Sequence, residues 1–496
     1  MVLFPVDSRA FARVSPNMSK KSAKSRKPRT ASSCAEPPDG RRVRLIQLGC
    51  AKNRVDGEWI LGTLGDRGYQ VVGEDADADT VIVNTCSFLQ ASVEESIETI
   101  LEAARLKEEG KIRRLVVAGC LPQRYGEQLA KEMPEVDHFL GPAGIDQIAD
   151  LLAREDAPRT LALTPEAFRG AATTSRIRTT PAHTAYLKIA EGCGRSCAFC
   201  TIPSIRGPQT SRTVTELVAE ARQLAATGVR ELVLVAHDLT SYGRDLRADD
   251  SGPDLAALLE ALGAISGIRW IRLLYAYPTA VSDRVIELLD SGAPFVRYLD
   301  IPIQHANDAI LRSMRRAYGR DGLLRTLDRL RERVRDLTLR TTVIVGYPGE
   351  TRAAFDELLA LLEHYRFRWV GAFTFSPEDG THAATLPGRV DELSSRARFD
   401  ELMARQAEIT ESIQRAEIGT EQWVLIEGEH PESELLGVGR TEAMAPEVDG
   451  SVILTDGNAT AGDWARVRIE DAQGWDLVGA IVEERRPEID AARPAV

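Results

Sequence analysis

Cysteine is scarce in this chain, with 7 in 496 residues, far too few for a disulfide scaffold. Several of them stand at metal-ligand spacing, which points to a reducing compartment, the cytoplasm. Long apolar runs are absent as well: no stretch approaches the roughly 18 uninterrupted apolar residues a membrane helix needs, so no membrane span is expected. Residues 1–33 hold almost no acids and no apolar core of the kind a secretory signal requires, but much Arg, Lys and Ser. That composition suits a transit peptide or a disordered tail, and the tail is the plainer reading; Met18 offers an alternative start. No internal repeat is found. What remains, 43% hydrophobic and 27% charged residues, is the balance of a globular protein, and the length exceeds what one core can serve, so about two to four domains are expected.

The formal charge of −12 is unevenly spread. Residues 1–44 carry eleven basic residues against three acids, whereas residues 421–487 carry fifteen acids against five arginines, a net of 5 − 15 = −10. Opposite ends of opposite sign carry more information about partners than the total does.

Short apolar runs alternate with amphipathic stretches. RVRLIQLG, VIVNT and RLVVAG read as strands, with helical NRVDGEWILGTLGDRG and ASVEESIETILEAARLKEEG between them. Continuous apolar strands separated by helices are the pattern of a parallel sheet covered on both faces. After a polar, Pro-containing linker the alternation resumes in AYLKIA, ELVLVAH, WIRLLY, YLDIPIQ, LRTTVIVG and WVGAFTFS, six units that suggest a partial barrel. A long polar helix leads out of it, and WVLIEG, SVILTD, WARVRIE and WDLVGAIVEE suggest a small barrel of short strands. The expected fold class is α/β: an N-terminal doubly wound parallel domain (41–152), a linker (153–182), a central partial (β/α)6 barrel with exit helix (183–418) and a C-terminal small antiparallel β-barrel (419–486), flanked by tails at 1–40 and 487–496.

The strongest chemical signal is GCGRSCAFC, in which Cys193, Cys197 and Cys200 form C-x3-C-x2-C directly after the first barrel strand. Three thiolates can hold three irons of a 4Fe-4S cluster and leave the fourth open. Spacing alone also suits zinc or a simple electron-transfer centre, although a structural zinc site wants a fourth ligand, and His183 and His237 stand outside the loop. Position favours chemistry, because active sites of such barrels lie at the carboxyl ends of strands. A second set is weaker by spacing and stronger by topology: Cys50, Cys86 and Cys120 each follow an apolar strand of the first domain. In a doubly wound sheet those ends converge on one crevice, where three thiols could bind a second cluster; any one of them alone reads as a buried structural cysteine. Cys34 ends no strand and reads as an incidental thiol.

C-x3-C-x-aromatic-C, with Phe199 as the aromatic, resembles the radical S-adenosylmethionine (SAM) signature. Together with LGCAKNRVD, NTCSF, AGCLPQRY and GCGRSCAFCTIPSIRGPQTSR it resembles the methylthiotransferase family of radical SAM enzymes over residues 41–482. That resemblance implies a transferase with two 4Fe-4S clusters, an auxiliary one on Cys50, Cys86 and Cys120 and a radical SAM one on Cys193, Cys197 and Cys200, and a terminal TRAM domain. It implies one SAM as methyl donor and another as radical source, SAM contacts near Phe199, Gly346 and Gly349, and a reductant such as flavodoxin or ferredoxin. For the two glycines a tight turn is the equal alternative. His305, Asp300 and Glu378 near strand ends are not required by radical chemistry, and His305 reads as structural. YLDIPIQHANDAILRSMRR, LVAHDLTSYGRDL, RTTVIVGYPGET and FTFSPEDGTHAATLP resemble the branch that modifies an aspartate β-carbon of small-subunit ribosomal protein S-twelve, on the free protein or within the subunit, rather than the branch that modifies adenosine in tRNA. Gly194 and His237 depart from that branch's usual residues. The acidic terminal barrel agrees with it, since a module gripping RNA should present Lys and Arg to phosphates, and an acidic one attracts a basic protein. The alternatives are tRNA methylthiolation and, in another class, a non-catalytic iron–sulfur or zinc protein.

Overall fold

The computed structural model describes residues 41–154, 159–163, 175–247, 252–457 and 459–485; the tails, and with them Cys34, lie outside the described residues. Strands β1 (Arg42–Gln47), β2 (Gln70–Val71), β3 (Thr80–Thr85), β4 (Arg114–Gly119), β5 (His138–Leu140) and β6 (Thr160–Ala162) form one sheet in the order β2-β1-β3-β4-β5-β6, parallel at every seam. Helix α1 (Ala51–Asp66) follows β1, α2 (Gln90–Glu108) follows β3 and α3 (Cys120–Glu132) follows β4. The strands read as continuous apolar runs because both faces are covered. Val81 and Val83 pack with Ile100 and Ala103 of α2, while Ile82 between them packs with Val55 and Ile60 of α1. The first sheet extends past residue 152, because β6, only three residues long, lies within the stretch read as a linker.

In the second unit β7 (Thr184–Lys188) is followed by a two-stranded ribbon of β8 (Ala190–Glu191) and β9 (Thr210–Ser211), then by β10 (Glu231–Val235), β11 (Trp270–Leu273), β12 (Phe295–Asp300), β13 (Thr338–Val345) and β14 (Trp369–Thr374). The sheet order β14-β13-β12-β11-β10-β7 is parallel throughout and open between its ends. This is the partial six-strand barrel expected. The exit helix Glu392–Arg415 begins at Asp391, whose side chain accepts from the Ser394 N–H at 2.9 Å.

The terminal unit is a closed barrel of β15 (Glu421–His430), β16 (Ser433–Arg440), β17 (Val452–Asp456), β18 (Trp464–Gln473) and β19 (Asp476–Arg485), in the order β15-β16-β17-β19-β18. Two features differ from expectation. The seam between β17 and β19 is parallel, whereas the other seams are antiparallel; an odd number of strands cannot alternate direction all the way round a closed ring. Strand β16 was not foreseen because Gly437 and Gly439 interrupt its pattern. A Cβ on Gly439 would lie 2.5 Å from Val424 and 2.7 Å from the Leu425 carbonyl oxygen, so close strand approach excludes a side chain there.

A loop of this barrel, around 440–450, fills the interior of the open one. Glu231, at the start of β10, is fully buried between Arg272 at 2.8 Å and Arg440 at 2.6 Å, and Asp449 meets the Tyr298 hydroxyl at 2.7 Å and Arg340 at 3.3 Å. Replacing Glu231 by Gln would leave two buried guanidinium groups short of their shared carboxylate. It is expected to lower stability by about 3–5 kcal/mol, read as a fall in the urea unfolding midpoint.

Candidate active site

Cys50, Cys86 and Cys120 stand just past the ends of three adjacent strands, β1, β3 and β4. Cys50 is the N-cap of α1, Cys86 follows β3, and Cys120 begins α3. They close on one another because Gly49 takes φ +85°, and a Cβ there would lie 2.8 Å from the Cys86 Cβ and 3.2 Å from its sulfur. Asn53 donates to the Leu48 carbonyl at 2.8 Å, and Asn84 donates to the Asn53 carbonyl at 2.8 Å, which ties the β1 and β3 ends together. The Cys86 backbone is fixed by Ser96, which accepts from its N–H at 3.2 Å and donates to its carbonyl at 2.8 Å. Burial pushes the Cys120 thiol up to about 12 against the pull of Arg206, and raises Cys86 as well.

The other three lie on the loop after the ribbon strand β8. The backbone N–H of Arg195 points at the Cys193 sulfur at 3.4 Å and that of Ile202 at the Cys200 sulfur at 3.5 Å, while the Arg316 guanidinium stands 3.5 Å from the Cys197 sulfur. Burial pushes the Cys200 thiol up to about 12. Among the described residues no three His, Cys, Asp or Glu side chains converge to hold a single metal ion; a cluster taking one thiolate per iron spaces its ligands more widely. Each set fits such a group chemically: three soft sulfur donors, with an arginine against one of them to offset the thiolate charge.

The two sets face each other across a buried ion network. Arg206, in the short helix Ile202–Arg206 that starts two residues after Cys200, donates to the Cys120 sulfur at 3.1 and 3.3 Å, to Asp56 at 2.6 Å and to Asn53 at 3.0 Å. Lys188 pairs with Asp56 and, at 2.6 Å, with Glu191, and every one of these ionic side chains is at most 2% exposed. Lys52, also buried, reaches from α1 to lie over the Tyr275 ring at 3.4 Å. Burial alone would lower its pKa, but Tyr275, Cys50 and Asp300 outweigh that and raise it. Tyr275 itself holds φ +66°, uncommon for a bulky residue, with its N–H on Asp300 at 3.1 Å.

The remaining expected residues are placed as follows. Phe199 is half-buried against an apolar group that includes Met314 and Tyr347. Gly346 and Gly349 both take positive φ; a Cβ on Gly346 would strike Ser395 of the exit helix, whereas Gly349 faces open space. His305 is fully buried, 3.3 Å from Glu350, and accepts from the Asn307 N–H at 3.0 Å, a structural role. Glu378 ties the domains by accepting from Arg124 at 2.9 Å and from the Gln90 N–H at 2.9 Å.

Three segments match known families: residues 42–141 match uncharacterized protein family UPF0004, 187–362 the radical SAM superfamily and 418–482 the TRAM domain. Over 455 residues the chain is 48% identical to ribosomal protein uS12 methylthiotransferase RimO of Anaeromyxobacter sp. (strain Fw109-5), covering 91% of this chain and 95% of that one. The same-named proteins of Myxococcus xanthus (47%, covering 89% and 92%) and Geobacter sulfurreducens (44%, covering 89% and 98%) are similar along the same length.

The chain belongs to this methylthiotransferase family. It is therefore a radical SAM transferase, and the family implies SAM and a 4Fe-4S cluster as cofactors. Among solved structures, a radical SAM methyltransferase from Kitasatospora setae, TsrM, with cobalamin and a 4Fe-4S cluster bound, is 15% identical with a TM-score of 0.47, covering 69% of this chain and 77% of that one. Among the described residues no helix is long and apolar enough to cross a membrane. For a member of this family the sequence reading overlooked Lys52, Arg206 and Arg316. Lys52 and Arg206 lie inside cysteine motifs, and that proximity could have flagged them although their partners are distant in sequence; Arg316 stands 116 positions beyond Cys200 (316 − 200), and nothing local points to it.

Proposed function

We propose that this chain inserts a methylthio group at the β-carbon of an aspartate in ribosomal protein uS12. Cys193, Cys197 and Cys200 would hold the radical SAM cluster, and Cys50, Cys86 and Cys120 an auxiliary cluster. The observation that carries this reading is the second cysteine set, placed at the carboxyl ends of β1, β3 and β4 and tied by Arg206 to the loop of the first. Hydrogen abstraction alone needs one cluster; delivering sulfur to the resulting carbon radical calls for a second site within reach. When bound, SAM and its cluster, given one electron from a reductant, would supply the radical chemistry that removes hydrogen from carbon, and the auxiliary cluster would hold the sulfur unit to be transferred. The protein's own part is to hold the two sites in one dry interface. Asp56, Lys188, Glu191 and Arg206 fix their separation, and Arg206 and Arg316 offset thiolate charge.

A protein substrate is favoured over RNA by the terminal barrel. Glu429, Glu432, Glu434, Asp456, Glu470 and Asp471 are exposed on it, as is Leu435 at 91%, a surface suited to a basic protein and unfavourable to phosphates. A low-potential one-electron donor such as flavodoxin or ferredoxin completes the system. Given SAM and a reductant, the cluster-loaded chain should form a methylthio adduct on uS12 and none on tRNA. A methylthio adenosine with uS12 unchanged would overturn the reading.

A further inference from the structure

Lys52 has no role in holding the fold that its surroundings account for. It is 5% exposed, its partner is the Tyr275 side chain, and among the described residues it makes no ion pair with a carboxylate. The nearest carboxylate influence, Asp300, is already engaged by Arg340 at 3.1 Å and by the Tyr275 N–H at 3.1 Å. The contrast with Lys188 is direct, since that buried lysine is paired with both Asp56 and Glu191. Cys50 and Asp300 act on it without forming an ion pair, and a buried ammonium with no carboxylate of its own is costly to maintain. Its position is informative too. Lys52 lies in the first turn of α1, whose N-cap Cys50 provides no side-chain cap and whose first turn contains no acid, so the local helix field also favours an incoming anion. From there it projects to the carboxyl ends of β11 and β12, where Tyr275 and Asp300 stand.

We propose that Lys52 is the residue that receives the carboxylate of the substrate side chain. The inference rests on the aspartate reading above and deepens it. A β-carbon is one bond from the side-chain carboxyl carbon, so the cation that orients that carboxylate has to stand beside the sulfur source, and Lys52 is two residues from Cys50. The aromatic face of Tyr275 holds the ammonium in place until the carboxylate arrives. Lys52 thereby selects a carboxylate over a neutral amide at the reacting position, and acts as a specificity-determining residue.

The test is a double-mutant cycle on binding, with cluster-loaded chain and two probes: uS12 and uS12 carrying Asn at the modified aspartate. With the wild-type chain the Asn form should bind at least about tenfold more weakly. Lys52→Met should weaken binding of native uS12 by a similar factor and bind the two probes almost equally, while Lys52→Arg, which keeps the charge, should still discriminate. Iron content per chain checks that each variant is folded and loaded. Losses that simply multiply, with Lys52→Met discriminating Asp from Asn as well as wild type does, would overturn the proposal. Modification of tRNA with no binding of uS12 by the wild-type chain would overturn the underlying reading, and the proposal with it.

Discussion

Replacing Cys197 by Ala is expected to reduce reductive cleavage of SAM to background, while replacing Cys86 by Ala leaves cleavage standing and abolishes methylthio transfer. The two variants separate because the two cysteine sets rest on different scaffolds. Cys197 sits on the loop after β8 with the Arg316 guanidinium 3.5 Å from its sulfur, and with two thiols left that loop cannot hold three irons. Cys86 belongs to the end of β3, held by Ser96, and its loss leaves Cys193, Cys197, Cys200 and their N–H donors untouched. Formation of 5′-deoxyadenosine reads the first function and the methylthio product reads the second. Unimpaired product from Cys86→Ala would contradict the two-cluster arrangement.

Arg206→Met is expected to cost about 3–5 kcal/mol of stability and to strip the auxiliary site of its iron. Four charges stand together in the interface, Asp56 and Glu191 against Lys188 and Arg206, each at most 2% exposed. Removing one cation leaves two buried carboxylates sharing Lys188, and the uncompensated charge is far costlier there than on a surface. The same substitution removes both donors from the Cys120 sulfur. Arg206→Lys keeps the charge but lacks the planar fork that reaches Asp56, Asn53 and Cys120 together, so it should fall between. Urea unfolding and iron analysis check the two effects. A Met variant with wild-type stability and full iron content would show that the network is incidental.

Much of this arrangement is legible in the sequence, for identifiable reasons. Strands buried on both faces read as apolar runs, so β1, β3 and β4 and the six strands of the partial barrel stand out, and each motif cysteine could be assigned to a strand end or the loop beyond it. Elements whose signal is local and strong were therefore expected. What was not legible depends on pairing. Strand β6 is three residues long, β16 is broken by glycines that a close strand crossing demands, and the parallel seam of the terminal barrel follows from counting five strands, of which only four were read. Arg206 is visible as part of GCGRSCAFCTIPSIRG, yet its meaning lies in Asp56, Asn53 and Cys120 of another domain. Lys52 likewise reads as an ordinary first-turn lysine until Tyr275, more than 200 positions away, is brought beneath it.

The most direct test of the central claim is mass spectrometry of small-subunit ribosomal proteins from cells with and without this gene, alongside nucleoside analysis of their tRNA. A methylthio increment on one aspartate of uS12 should be present with the gene and vanish on its deletion, with tRNA unchanged. An unchanged uS12 together with loss of a methylthioadenosine from tRNA would contradict it.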